Sequence, residues 1–65
     1  MKLWNRIYYL VPNTYAKMTV YSKIHVTVIV CDVKGNPLEG ADIFPCSSKE
    51  MAKVLIDELR RIAED

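Results

Sequence analysis

The chain has 65 residues, 51% of them apolar and 26% charged, with nine Lys and Arg against eight Asp and Glu for a formal charge of +1. That length allows one domain, residues 1–65, and excludes a doubly wound nucleotide-binding sheet, a multi-strand barrel and a large enclosed substrate cavity. The near-neutral charge excludes a nonspecific electrostatic grip on a polyanion and leaves only local patches to be considered.

The start, Met1-Lys2-Leu3-Trp4-Asn5-Arg6, leads into five apolar residues, Ile7 to Val11, before Pro12-Asn13, so the apolar core of a signal peptide is not expected. No run approaches the ~20 apolar residues of a membrane span, and the expected compartment is the cytoplasm. Leu3 to Val11, rich in aromatic and branched residues and closed by Pro12-Asn13, reads as a strand. Lys17 to Asp32 alternates along Met18, Val20, Ile24, Val26, Val28 and Val30, with Thr19, Tyr21, Lys23, His25 and Thr27 between them. That period of two predicts one long second strand, bent near Ser22, with the apolar set on a buried face.

Lys34-Gly35-Asn36-Pro37-Leu38-Glu39-Gly40 has the chemistry of a turn and predicts a hairpin about Asn36-Pro37. A third strand over Gly40 to Pro45 then turns Ala41 and Ile43 inward and Asp42 and Phe44 outward. Ser47 with Glu50 three residues on predicts a capping box that opens a helix. From there Met51, Ala52, Leu55, Ile56, Leu59, Ile62 and Ala63 fall on one stripe of a 3.6-residue period, while Asp57 and Arg61 are spaced to pair on the opposite side. The expected fold is α+β: a three-stranded antiparallel β-meander with one C-terminal α-helix packed on one face, in the order βββα.

One helix covers one face of a sheet, so the other face is expected to be open to solvent or a partner. With the first hairpin turning about Thr14-Tyr15, Tyr8 lies across from Tyr21, Arg6 from Lys23 and Trp4 from His25, while Ile7, Tyr9 and Val11 join the core. The open face then carries Trp4, Arg6, Tyr8, Leu10, Tyr21, Lys23, His25, Ile29 and Phe44. Of these Trp4, Arg6, Tyr8, Tyr21, Lys23, His25 and Phe44 are the candidate partner-binding residues, because aromatic rings with cations are enriched at interface hot spots and on stacking platforms for single strands. A one-residue change in the first turn exchanges the faces of strand one, sending Trp4 and Tyr8 inward and exposing Ile7 and Tyr9. Tyr8 and Tyr21 also fit a cross-strand pair with a structural role alone.

No catalytic or metal site and no cofactor is expected. The second hairpin places Cys46 near Thr27 or Val28, ~13 Å along the strand from Cys31 and beyond the ~7 Å reach of a disulfide, so both cysteines read as free thiols. Cys31, Cys46 and His25 contain no Cys-x-x-Cys pair, which argues against zinc. His25 and Cys31 are ~20 Å apart along one strand and cannot form a nucleophile and base. Ser47 and Ser48 are explained by capping, and Asp32 and Asp42 point to opposite faces, which leaves paired-carboxylate catalysis without a basis. An enzyme is not expected.

Phe44-Pro45-Cys46-Ser47-Ser48-Lys49-Glu50-Met51-Ala52-Lys53, followed by Leu55, Leu59 and Arg60, resembles the close of the arm-type DNA-binding domains of phage and transposon integrases. Those domains, like the plant AP2 type, set a three-stranded sheet with a C-terminal helix into the DNA major groove. The resemblance implies Arg6 and Lys23, with Tyr21 and His25, as DNA-facing residues. The helix start also resembles the last helix of double-stranded RNA-binding domains, and Asp32 to Ile43 a turn of carboxypeptidase-regulatory and bacterial immunoglobulin-like sandwiches. In size and build the chain resembles the small inhibitors that phages and mobile elements encode against host defence, of which anti-CRISPR proteins are the best-known group. The function expected is therefore a non-enzymatic binding protein that docks its open sheet face on a macromolecular partner and blocks it, a protein sooner than a nucleic acid. The alternative is a small DNA-binding module of the integrase-arm type, and a third reading is a homodimer through the sheet face. No membrane partner is expected.

Overall fold

In the computed structural model, which describes residues 1–64, the period-two segments form strands and the 3.6-period segment forms a helix. β1 (Trp4–Val11), β2 (Thr14–Ser22), β3 (His25–Cys31) and β4 (Phe44–Cys46) make one antiparallel sheet in the order β1-β2-β3-β4, followed by α1 (Lys49–Glu64). The class is α+β with one C-terminal helix, and the sheet has four strands where three were expected.

The extra strand comes from dividing the segment expected as one long strand. The chain reverses at Lys23-Ile24, so Ser22 pairs with His25 and Val20 with Val26, with an irregularity at Tyr21. Ser22 was expected to mark a bend; its hydroxyl instead accepts a hydrogen bond from the Ile24 amide across the reversal. Ile24, expected in the buried set, lies at the tip and is 78% exposed.

The first hairpin turns at Pro12-Asn13, earlier than expected. Proline presets a turn-compatible φ, and Asn13 takes the left-handed conformation that asparagine tolerates, at φ 66°. Tyr8 consequently pairs with Ala16, Arg6 with Met18 and Trp4 with Val20, and the ladder slips by one residue between Tyr9 and Val11. This exchanges the faces of β1. Trp4, Arg6, Tyr8 and Leu10 stand on the helix side, and Leu10 is buried. Ile7 and Tyr9, expected in the core, are exposed on the reverse side, and Val11 is half-buried.

After β3 the chain turns where its chemistry indicated, but through a longer irregular path. The Asp32 carboxylate accepts hydrogen bonds from the amides of Lys34 and Asn36, both 2.9 Å, and Gly35 at φ 88° completes the reversal. An isolated antiparallel bridge joins Pro37 to Cys31, with the Leu38 amide donating to the Val30 carbonyl, and the regular ladder resumes at Phe44, with Phe44 opposite Val28, Pro45 opposite Thr27 and Cys46 opposite Val26. The register differs by one residue from the expected one, so Phe44 and Cys46 turn toward the helix side, while Ile43, expected inward, is 63% exposed.

The core joins Leu10, Ala16, Met18, Val20, Val26, Val28 and Cys46 of the sheet to Ala52 and Ile56 of α1, with Tyr8, Leu55 and Leu59 packed against it. The apolar stripe of the helix is wider than the sheet surface beneath it, which leaves Met51, Ile62 and Ala63 exposed. Ser48, one residue later than expected, caps the helix: its hydroxyl accepts from the Met51 amide at 3.1 Å. Ser47 instead donates to the Met51 sulfur. The ion pairs on the helix are Asp57–Arg60 and Glu58–Arg61, in place of the expected Asp57–Arg61 pair.

Candidate functional site

The reverse side of the sheet carries Tyr21 and His25, as expected. Their rings stack with centroids 4.7 Å apart, and both side chains are exposed. Tyr9 and Tyr15 form an edge-to-face pair on the same side. Much of the rest is roofed by the chain itself. The turn after β3 folds back so that the Gly35 carbonyl accepts a 2.9 Å hydrogen bond from Lys17 Nζ, and an added Cβ at Gly35 would lie 3.2 Å from Ile7 Cδ1. Gly35 is buried in this turn and Cys31 beneath it, and Thr19 is buried further along β2. The reverse side is thus not the continuous open platform that the sequence suggested.

The candidate residues divide between four places. Tyr21 and His25 share the reverse side, Lys23 lies at the exposed tip between β2 and β3, and Phe44 sits on the helix side of β4. Trp4, Arg6 and Tyr8 come together on the helix side of β1, where α1 places Lys49, Glu50 and Lys53 opposite them. With Met18 as its floor this group lines a cleft of about 230 Å³.

The cleft is built by two periodicities. Strand alternation puts Trp4, Arg6 and Tyr8 on one side at intervals of two residues, and the helix puts Lys49 and Lys53 one turn apart on the flank facing β1. Lys49 Nζ stands 5.8 Å from the centre of the Trp4 ring and Lys53 Nζ 5.9 Å from that of Tyr8, both within cation–π range. Arg60, further along the same flank, donates to the Tyr9 carbonyl at 3.0 Å and ties the later turns of the helix to β1.

Charge is distributed unevenly around this site. Both ion pairs among the described residues lie in the C-terminal half of α1, and none involves Arg6, Lys49 or Lys53. Three cations therefore face one carboxylate, that of Glu50, in a molecule whose formal charge is only +1. Lys49 opens the helix, where the macrodipole disfavours positive charge by ~0.3–1 kcal/mol, and Lys53 stands one turn further along the same flank. The arrangement runs against helix stability, with no ion pair to offset it. Local rules broken in this way tend to mark a functional surface.

The two thiols sit apart from the cleft chemistry. Cys31 belongs to the reverse side and Cys46 to the helix side; both are free and buried, and burial raises the pKa of each, with Lys17 opposing the rise at Cys31 and Asp32 adding to it. No group of three or more His, Cys, Asp or Glu among the described residues is placed to hold a metal ion, and no helix among them is long and apolar enough to cross a membrane.

Lys49 and Lys53 were missed as site residues because a charged helix face is usually only solvated. Their i, i+4 spacing at the acid-preferring end of a helix was the available signal. Comparison with known protein families, curated proteins and solved structures finds no match for the chain.

Proposed function

We propose that this chain is a non-enzymatic binding protein that docks on and blocks a macromolecular partner through the cleft between β1 and the first turns of α1. The observation that carries the reading is the uncompensated cluster of Arg6, Lys49 and Lys53 around the Trp4 and Tyr8 rings. Aromatic and arginine side chains supply most binding energy at protein interfaces, and lysine stems add apolar cover while their ammonium groups select an anionic counterpart. A protein partner is favoured over nucleic acid because both lysines already lie over the ring faces that bases would need for stacking, and Glu50 would oppose a phosphate chain. The finer reading, an inhibitor of the kind phages and mobile elements carry against host defence complexes and acting in the cytoplasm, rests on size and build.

The test is differential capture. Immobilised wild-type chain and an Arg6→Glu/Lys53→Glu variant, both with unchanged circular dichroism, are exposed to lysate of the organism in which the gene is found. A partner retained by the first and lost from the second supports the cleft. Equal retention by both removes it.

A further inference from the structure

The cleft lies along a sheet edge, and the two edges of this sheet differ. β4 is three residues long and contains Pro45, a residue with no N–H to offer, so that edge has two of the devices by which proteins discourage strand addition. β1 is eight residues long, has neighbour β2 on one side only, and contains no proline or lysine; its one irregularity is at its far end, between Tyr9 and Val11. Trp4 to Ile7 are all exposed. The one charged side chain on β1, Arg6, points into the cleft beside Lys49 and Lys53.

Building on the cleft reading, we propose that the β1 edge takes an acidic segment of a protein partner in extended conformation, as a fifth strand, with carboxylates on alternate residues facing Arg6, Lys49 and Lys53. Spacing supports this. Alternate residues of a strand are ~6.7 Å apart, and Lys49 and Lys53 are separated by ~6 Å of helical rise. Main-chain hydrogen bonds to the edge would supply affinity, and the three cations would choose the side chains. A second copy of this chain is a poor occupant, because pairing β1 with β1 sets the Arg6, Lys49 and Lys53 clusters of the two copies near one another. A nucleic acid can satisfy the cations but not the row of main-chain donors and acceptors.

The probe is a capped peptide of about nine residues alternating Glu with Val or Thr, titrated into the full chain and followed by amide shifts and amide-exchange protection. Binding should perturb Trp4 to Tyr8, Lys49 and Lys53 and slow exchange along β1. Replacing Glu by Lys in the peptide, or placing proline at two central positions, should each weaken binding by about tenfold or more. Lys49→Glu and Lys53→Glu should do the same without loss of fold, since negative charge in the first turns favours the helix. The proposal is overturned by absence of binding at ~1 mM peptide, by indifference to proline, or by tighter binding of a thymidine decanucleotide than of the acidic peptide. Failure of the peptide while the Arg6→Glu/Lys53→Glu bait still loses its partner would remove strand addition and leave the cleft standing.

Discussion

Replacing Gly35 by alanine tests whether the turn after β3 rests on the reverse side of the sheet. Gly35 and Gly40 both adopt positive φ, 88° and 80°, so alanine at either position costs about 1–2 kcal/mol of backbone strain. At Gly40 nothing lies within 4 Å of the added methyl group, whereas at Gly35 it meets Ile7 Cδ1 at 3.2 Å. Relieving that contact forces Ile7 off its rotamer or lifts the turn, at roughly a further 0.5–1.5 kcal/mol. With a urea dependence of about 1 kcal/mol/M for so small a domain, the Gly35→Ala midpoint should fall about 1 M below that of Gly40→Ala. In an Ile7→Ala background the methyl group has room, and the two glycine variants should cost the same, a coupling of about 1 kcal/mol in a double-mutant cycle read by circular dichroism. Equal midpoints for the two glycine variants in both backgrounds would refute the packing of this turn on Ile7.

Ser48→Ala removes the acceptor for the Met51 amide and should cost about 1 kcal/mol in urea unfolding, with Ser47→Ala costing clearly less. Burial raises the thiol pKa of Cys31 and Cys46 above the ordinary 9.0, so the unfolded chain ionises first. Their contribution is complete below the unfolded value and is lost as pH rises through the folded one; between pH ~8 and ~10 the wild-type midpoint should fall more steeply than that of a Cys31→Ala/Cys46→Ala variant. Tyr21→Ala deletes the stack on His25 from the reverse side and should leave binding of the acidic peptide within about twofold, whereas Trp4→Ala should weaken it about tenfold or more with the far-ultraviolet spectrum retained. A matching loss in both variants would put the docking surface on the wrong side of the sheet.

The buried set Met18, Val20, Val26 and Val28 was legible because alternation survives any turn that pairs even-numbered residues with even-numbered ones. All three ladders do so through their regular stretches. The same property hid the reversal at Lys23-Ile24: a strand that folds back in such a register keeps its pattern, and neither residue is a strong turn former. The first turn carried its signal openly in Pro12-Asn13, and placing the reversal two residues later leaves the faces of β1 unchanged; the one-residue slip between Tyr9 and Val11, which no local preference announces, is what moves Trp4, Arg6 and Tyr8 to the helix side. Phe44 and Ile43 exchanged places for a similar reason, since the turn after Cys31 adds irregular residues whose number no local preference fixes. The helix was recovered to within a residue or two because a serine cap and a 3.6-residue stripe are local signals. The cleft was legible only in part: β1 contributes side chains that stand out by type, but their meeting with Lys49 and Lys53 depends on a tertiary crossing.

That crossing brings together residues 4–8 and 49–53, which are far apart along the chain. During synthesis the cleft cannot exist until α1 has left the ribosome and closed over the first hairpin. An occupant of the kind proposed would act as a clasp between β1 and α1, and by mass action would raise resistance to unfolding by ~2.7 kcal/mol at a hundredfold excess over its dissociation constant. A protease cut between β4 and α1 would release the clasp and silence recognition, even where the hairpins themselves survived.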